Sequence, residues 1–413
     1  MKKVILPLIA ASVAALSANA ADVFPRTFTG DTEGYFEATA DYTVEASDIT
    51  ITHTFAGAKH PRGTLNLNGH TNVNLVLNNT DGSNPDNKEY FAFNGFTFKG
   101  NSAADVLNVS IAEGKAAARI GAGFNVDAAT VNMNLSAVEW VKGFKSTYAF
   151  NVSNGGVLNW TNVPTFNSNG LPLEINISGA GSKMVFKTVG TSWIGGNNVI
   201  TIDGGSFDLD TKNGRLDGAF NIKNLSDDCN VDLLGVGSGK TFDIAAGITH
   251  KIYTTNRNLV MFDNATFKAM SDVFVSTSGQ AFGLYAANNT KSINIEIGTA
   301  ITLRTVELNQ NLTNIAVNVK LNGSLLTFLY LDFAQTSFVI EDFDNNLFRW
   351  ESDKNLDLSA ITAKHNGVVL TDLTTITKDG YTYLYSASIP EPATLAAVFG
   401  ALALAFAAWR RRK

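Results

Sequence analysis

Ile293-Asn294-Ile295-Glu296-Ile297 alternates apolar and polar side chains over five residues. A strand turns successive side chains to opposite faces, so this is the pattern of a strand with one buried face. The pattern recurs at Leu65-Asn66-Leu67-Asn68, Val131-Asn132-Met133-Asn134-Leu135, Leu173-Glu174-Ile175-Asn176-Ile177 and Val317-Asn318-Val319-Lys320-Leu321. Between about Asp22 and Ser388 no run of helical period is long enough to read as a helix. Gly, Asn and Asp accept positive φ, and pairs of them punctuate the strands. They stand at Asn94-Gly95, Asn154-Gly155-Gly156, Asn169-Gly170, Asp203-Gly204-Gly205, Asn213-Gly214, Asn322-Gly323, Asn366-Gly367 and Asp379-Gly380. The body reads as all-β.

Strands beginning near Phe150, Ile175, Ile200, Phe220, Phe242, Phe262 and Phe282 recur roughly every 20–25 residues, a solenoid period. A right-handed parallel β-helix is therefore expected over residues 21–388, with Val, Ile, Leu and Phe stacking inward. Asn side chains stacked at the turns would form ladders between coils. Tandem β-sandwiches are the alternative, because turn signals also occur about every 8–12 residues. Residues 21–61, with Phe24, Phe28, Tyr35, Phe36 and Tyr42, are expected to cap the first coil. Residues 355–388 are expected to cap the last, through a hairpin at Lys378-Asp379-Gly380. The polar stretch Asn78–Glu89 reads as an excursion loop suited to contact.

Composition agrees. The chain has 413 residues with 35 Gly, 43 Asn, 45% hydrophobic and 16% charged residues, enough apolar material for a large core. A single Cys excludes a disulfide framework or a Cys-rich metal site. The formal charge of −6 averages two cationic ends with an acidic body. Without Lys2, Lys3, Glu391, Arg410, Arg411, Arg412 and Lys413 the balance is 25 basic against 36 acidic groups, or −11. Nucleic acid is not an expected partner, since Lys and Arg supply most phosphate affinity.

Both ends read as addresses. Residues 1–20 carry a basic start, an apolar stretch from Val4 to Leu16 and an A-x-A cleavage site at Ala18-Asn19-Ala20, the three parts of a secretory signal helix. Residues 389–413 contain Pro390-Glu391-Pro392, the uncharged segment Ala393–Trp409 and the tail Arg410-Arg411-Arg412-Lys413. Seventeen residues at helical rise cover roughly 26 Å, close to the hydrocarbon thickness of a bilayer. The terminal cations would hold the tail on the cytoplasmic side of one transmembrane helix.

Pro390, Glu391 and Pro392, the apolar helix and the terminal Arg cluster together resemble the PEP-CTERM sorting signal of Gram-negative bacteria. The resemblance covers about 25 residues. It implies recognition by an exosortase, cleavage near Pro390–Pro392 and a transient stay in the inner membrane. The freed body would then reach the cell surface or extracellular matrix, often beside exopolysaccharide. The body itself resembles the β-solenoid passengers of autotransporters.

A carbohydrate-active β-helix enzyme would need convergent carboxylates or calcium-binding Asp. The acidic candidates are Asp203, Asp208, Asp210, Asp217 and the pair Asp227-Asp228, all read as turn aspartates. His53, His60, His70, His250 and His365 lack any metal-binding spacing and read as turn or surface residues. Cys229 reads as an incidental thiol in a polar setting, and Gly235-Val236-Gly237-Ser238-Gly239-Lys240 as a loop rather than a phosphate cradle. Thr-x-Thr pairs such as Thr50-Ile51-Thr52 do not recur at coil period, as ice binding would require. The expectation is a non-enzymatic surface or matrix protein without catalytic, metal or cofactor residues. Its expected partners are exosortase, the secretion machinery and glycans or exopolysaccharide, and its expected role is structural or adhesive.

Overall fold

The computed structural model describes residues 22–55, 61–80, 91–113, 119–120, 123–134, 148–163, 172–188, 193–211, 214–256, 258–276, 281–309, 311–312, 314–330, 336–351 and 357–389, with 404 and 410. Ala18, Ala20, Pro390, Glu391, Pro392, Arg411, Arg412 and Lys413 lie outside them, as do Asn169-Gly170, His60 and most of the excursion loop. Leu404 and Arg410 are helical and exposed. Among the described residues no helix is long and apolar enough to cross a membrane.

The body is an all-β, right-handed-type parallel solenoid. One ladder starts at Thr27–Phe28 and Tyr42–Val44, runs through Gly123–Asp127, Tyr148–Ser153 and Leu173–Ser178, and ends at Ile361–His365. Each strand pairs in parallel with its equivalent one coil later. Register is kept so strictly that one inward column reads Phe96, Phe124, Phe150, Ile175, Ile200, Phe220, Phe242, Phe267, Ile295, Val319. All of these are buried. The alternation of the sequence thus becomes a continuous apolar stack. Its rings meet edge-on where Phe124 contacts Phe150 at 5.1 Å, a favoured quadrupole geometry.

A second ladder forms the opposing face, through Thr50–Phe55, Val73–Asn79, Val106–Ile111, Thr130–Asn134, Val157–Val163 and Lys183–Thr188. From Trp193 onward the coils add a third parallel face, built from Leu234–Val236, Asn258–Met261, Gly283–Ala286 and Val306–Leu308. The second ladder stops at Phe274–Ser276 and a new one starts at Ile301–Leu303. No strand pairing joins the two among the described residues.

Most predicted turns are turns: Asn154, Asn322, Asn366 and Asp379 all hold positive φ, each followed by a positive-φ glycine. Asp203-Gly204-Gly205 differs. It lies inside the strand Trp193–Asp210, where residues before it pair with Leu173–Ser178 and residues after it with Lys183–Thr188. The register shift at Gly204, with φ of 91°, bends one strand from the first face to the second.

The ends of the rod are built differently. At the start, Phe24, Phe28, Phe36 and Tyr42 are buried with His53 in an aromatic cluster, and the Tyr42 hydroxyl accepts from Glu37 N at 2.8 Å. At the finish, Tyr381–Ser386 pairs antiparallel with Phe348–Glu351 and with Leu373–Lys378, the two hairpin strands turning at Asp379-Gly380. An antiparallel hairpin occupies the edge that the next coil would take, so the parallel ladder is not left open there.

Candidate functional site

The surface is organised by the same register as the core. On the second face Asn159 donates to Asn132, Asn132 to Asn108 and Asn108 to Asn74, at 2.9, 2.9 and 3.3 Å. On the first face Asn176 donates to Asn151 and Asn151 to Asn125, at 2.9 and 2.7 Å, and Asn125 to Thr97 Oγ1 at 3.0 Å. A third run joins Asn318, Asn294 and Asn264. The amide ladders exist, but chiefly on strand faces rather than at turns. An amide has two N–H donors and two carbonyl lone pairs. An Asn inside a run, such as Asn132 or Asn151, uses one of each along the rod.

Along the first face the row continues past Thr201 and Asn221 into charge. Lys268 holds Asp243 at 3.0 Å, Lys320 holds Glu296 at 3.6 Å and Lys364 holds Glu341 at 2.9 Å. Acid and base alternate because each coil offers the same outward position. The face carrying Thr50, Thr52 and Thr54 continues as Asn74, Val76 and Asn78, so threonine does not recur on every coil.

The acidic candidates separate. Asp208 pairs with Lys183 at 2.7 Å, Asp203 with Lys223 at 3.6 Å, and Asp217 with Arg215. They occupy different faces, and among the described residues no group of three His, Cys, Asp or Glu side chains is arranged to hold a metal ion. Asp217 is buried, and desolvation raises its pKa against the opposing pull of Arg215. Gly235 lies directly over this pair, where an added Cβ would overlap the Asp217 carboxylate. The Gly-rich segment therefore begins as the strand Leu234–Val236 and becomes a turn only near Gly239.

Two residues are placed deeper than their sequence surroundings imply. Cys229 is 1% exposed in the core, and burial pushes its thiol up to about 12. The flanking Asp and Asn point outward, whereas Cys229 alternates inward. His53 is fully buried, its ring against Phe36 and Phe55 and its Nδ1 facing Phe36 N at 3.4 Å. Of the others, His70 meets Ser47, His250 meets Asp228 and His365 meets the Phe343 carbonyl.

Two features have no counterpart in the sequence reading. A cleft of about 480 Å³ opens where the second ladder breaks, lined by Lys251, Tyr253, Phe274, Phe282, Ile301 and Thr302 among others. On the last sheet, Arg349 is packed against tyrosine rings. Period-two alternation signals the strands but not their missing partner or a cross-strand cage. No known protein family, no curated protein and no solved structure matches this chain.

Proposed function

We propose that the chain is an exported, exosortase-sorted surface or matrix protein whose body acts by display rather than by catalysis. The observation that carries this reading is that the described body is anchored up to the residue before the motif. Ile389 is buried, its carbonyl accepts from Asn345 Nδ2 at 3.2 Å, and the next residue is Pro390 of the Pro-Glu-Pro motif. Cutting at or beyond that motif would leave the burial of Ile389 and its hydrogen bond to Asn345 in place.

The rod supports a display role through its rows. Amide and ion-pair groups repeat at the inter-strand spacing of about 4.8 Å, so one weak polar contact with a glycan can be repeated coil after coil. Binding would then rest on many shallow hydrogen bonds to glycans or exopolysaccharide.

The test is deletion of the exosortase gene with the protein followed by immunoblot and surface accessibility. A longer, membrane-retained form is expected in the deletion strain. Unchanged size and unchanged surface exposure would sink the sorting reading.

A further inference from the structure

On the closing sheet, Tyr381, Tyr383 and Tyr385 share the face opposite Thr382, Leu384 and Ser386; Tyr381 and Tyr385 are half-buried and Tyr383 is itself buried. Arg349 stands opposite Tyr383 in the antiparallel register. Its guanidinium lies 4.0 Å from the centroid of the Tyr381 ring and 5.6 Å from that of Tyr383. Nε donates to Thr327 Oγ1 at 2.9 Å, and Nη1 donates to the Tyr383 hydroxyl at 2.7 Å. Lys378 Nζ sits 4.7 Å from the centroid of the Tyr383 ring and donates to Asn346 Oδ1 at 3.1 Å.

The surroundings of Arg349 differ from those of the other half-buried arginines among the described residues. Arg215 and Arg304 are also half-buried, and each holds an acid, Asp217 and Glu307 respectively. Arg349 is fixed by neutral hydroxyls and ring faces, and no ion pair links it to a carboxylate among the described residues. Glu351, opposite Tyr381 in register, forms no such pair with it. A guanidinium anchored through two of its five N–H donors is a preorganised fork, the others having no hydrogen bond to a described residue. Such a fork matches a planar carboxylate, and cations over tyrosine faces are stabilised there without a counter-ion.

We propose that Arg349, Lys378, Tyr381 and Tyr383 form a subsite for the carboxylate-bearing sugar of an acidic polysaccharide, an inference that rests on the surface or matrix role given above. A polysaccharide suits the site better than a peptide strand. Tyr381–Ser386 already has a strand on each side, so it offers no open backbone edge for strand addition. What it offers is a sheet face with the half-buried Tyr381 ring and two cations, held from behind by the buried Tyr383 and fitting an anionic sugar chain. The carboxylate would take the free Arg349 donors, the sugar ring would lie along Tyr381, and Lys378 would meet the next acid group.

Affinity of the full chain in detergent would be measured by calorimetry for a polyuronate oligosaccharide, a sulfated oligosaccharide and a neutral glucan of equal length. The polyuronate should bind, with the neutral glucan at least about tenfold weaker, and Arg349→Gln should weaken polyuronate binding by about tenfold or more. Glu351→Gln should tighten it by about two- to fivefold through removal of a like charge, an effect that a purely structural Arg349 would not produce. Wild-type affinity in folded Arg349→Gln, or equal binding of the neutral glucan, overturns the subsite. So does preference for the sulfated chain with no polyuronate binding. If Arg349→Gln does not fold, unchanged affinity in Glu351→Gln overturns it instead. The subsite can fail while exosortase deletion still alters size and location, and it can hold while that deletion does nothing, so the two readings fall separately.

Discussion

One outward row on the first face runs the length of the rod and changes character midway. Between Thr97 and Asn221 it is neutral: Asn125, Asn151 and Asn176 pass hydrogen bonds from coil to coil. Between Asp243 and Lys364 it is ionic, with acid and base alternating at the same position of each coil. Both solutions meet one requirement, because identical polar groups stacked at strand spacing must satisfy their neighbours. An amide is donor and acceptor at once and can follow itself indefinitely. A charged group cannot, since like charges directly opposite on adjacent strands repel, so the ionic half must alternate. The neutral half is thereby made indifferent to salt and proton concentration, and the ionic half is not.

The largest test asks whether these are two regions at all. In a solenoid each coil contacts chiefly its neighbours, so damage should stay local. Phe124→Ala and Phe267→Ala each delete a fully buried ring from the same inward column, at a cost of about 3–5 kcal/mol. Hydrogen exchange should show lost protection around residues 96–163 in the first variant and around 241–340 in the second. Cys229 lies between them and reports on the junction. With its thiol pushed up to about 12 and buried, it should resist alkylation near pH 8 until the coils around it open. Uniform loss of protection in either variant would mean one cooperative unit and would dissolve the distinction.

That junction also marks how far the sequence could be read. Strand positions were legible because burial of one face imposes a two-residue alternation, as at Leu173–Ile177 and Ile293–Ile297. Asn-Gly and Asp-Gly turns were legible because few residues accept positive φ. Parallel stacking was legible only as a loose period, since coil length varies and no sequence repeat is superimposable. The location of the amide ladders was not. Asn132 and Asn159 are 27 residues apart, and only the register Asn132↔Asn159 brings them together. Asp203-Gly204-Gly205 looked like any other turn because local chemistry is the same for a turn and for a bent strand. The cage around Arg349 joins Thr327, Arg349 and Tyr383 from three strands, one of them antiparallel, and no local pattern announces it. Pro390, Glu391 and Pro392 were legible as a motif and lie outside the described residues.

A smaller test compares the rows directly. Asn151→Ala removes the donor to Asn125 and the acceptor for Asn176, both part-buried, and should destabilise its region by about 1–2 kcal/mol. The loss should be equal at 0.05 and 1 M salt, measured by thermal melting with exchange readout. Lys320→Ala removes an exposed ion pair with Glu296 and should cost only about 0.2–1 kcal/mol, falling toward nothing at 1 M salt. Equal salt dependence in the two variants would mean that row chemistry does not distinguish the regions.

The smallest expected effect is the response to acid in the ionic half, at Asp263. Its carboxylate accepts from Lys291 N at 2.8 Å and from Ser292 N at 3.2 Å, tying one coil to the next. These backbone hydrogen bonds, the one from Lys291 foremost, hold its pKa below the ordinary carboxylate value. A depressed folded pKa means that the unfolded chain takes up the proton first as pH falls. The stabilisation is therefore fully present above the unfolded value of about 4 and is lost as pH drops through the lower folded value. Asp263→Asn should melt below wild type at pH 6, and the gap between them should close as pH falls through the depressed folded value. The amide row carries no titratable group, so the deficit of Asn151→Ala should persist over the same range. If the Asp263→Asn deficit also persists, the backbone contacts are being made by the side chain's shape alone and its charge contributes nothing.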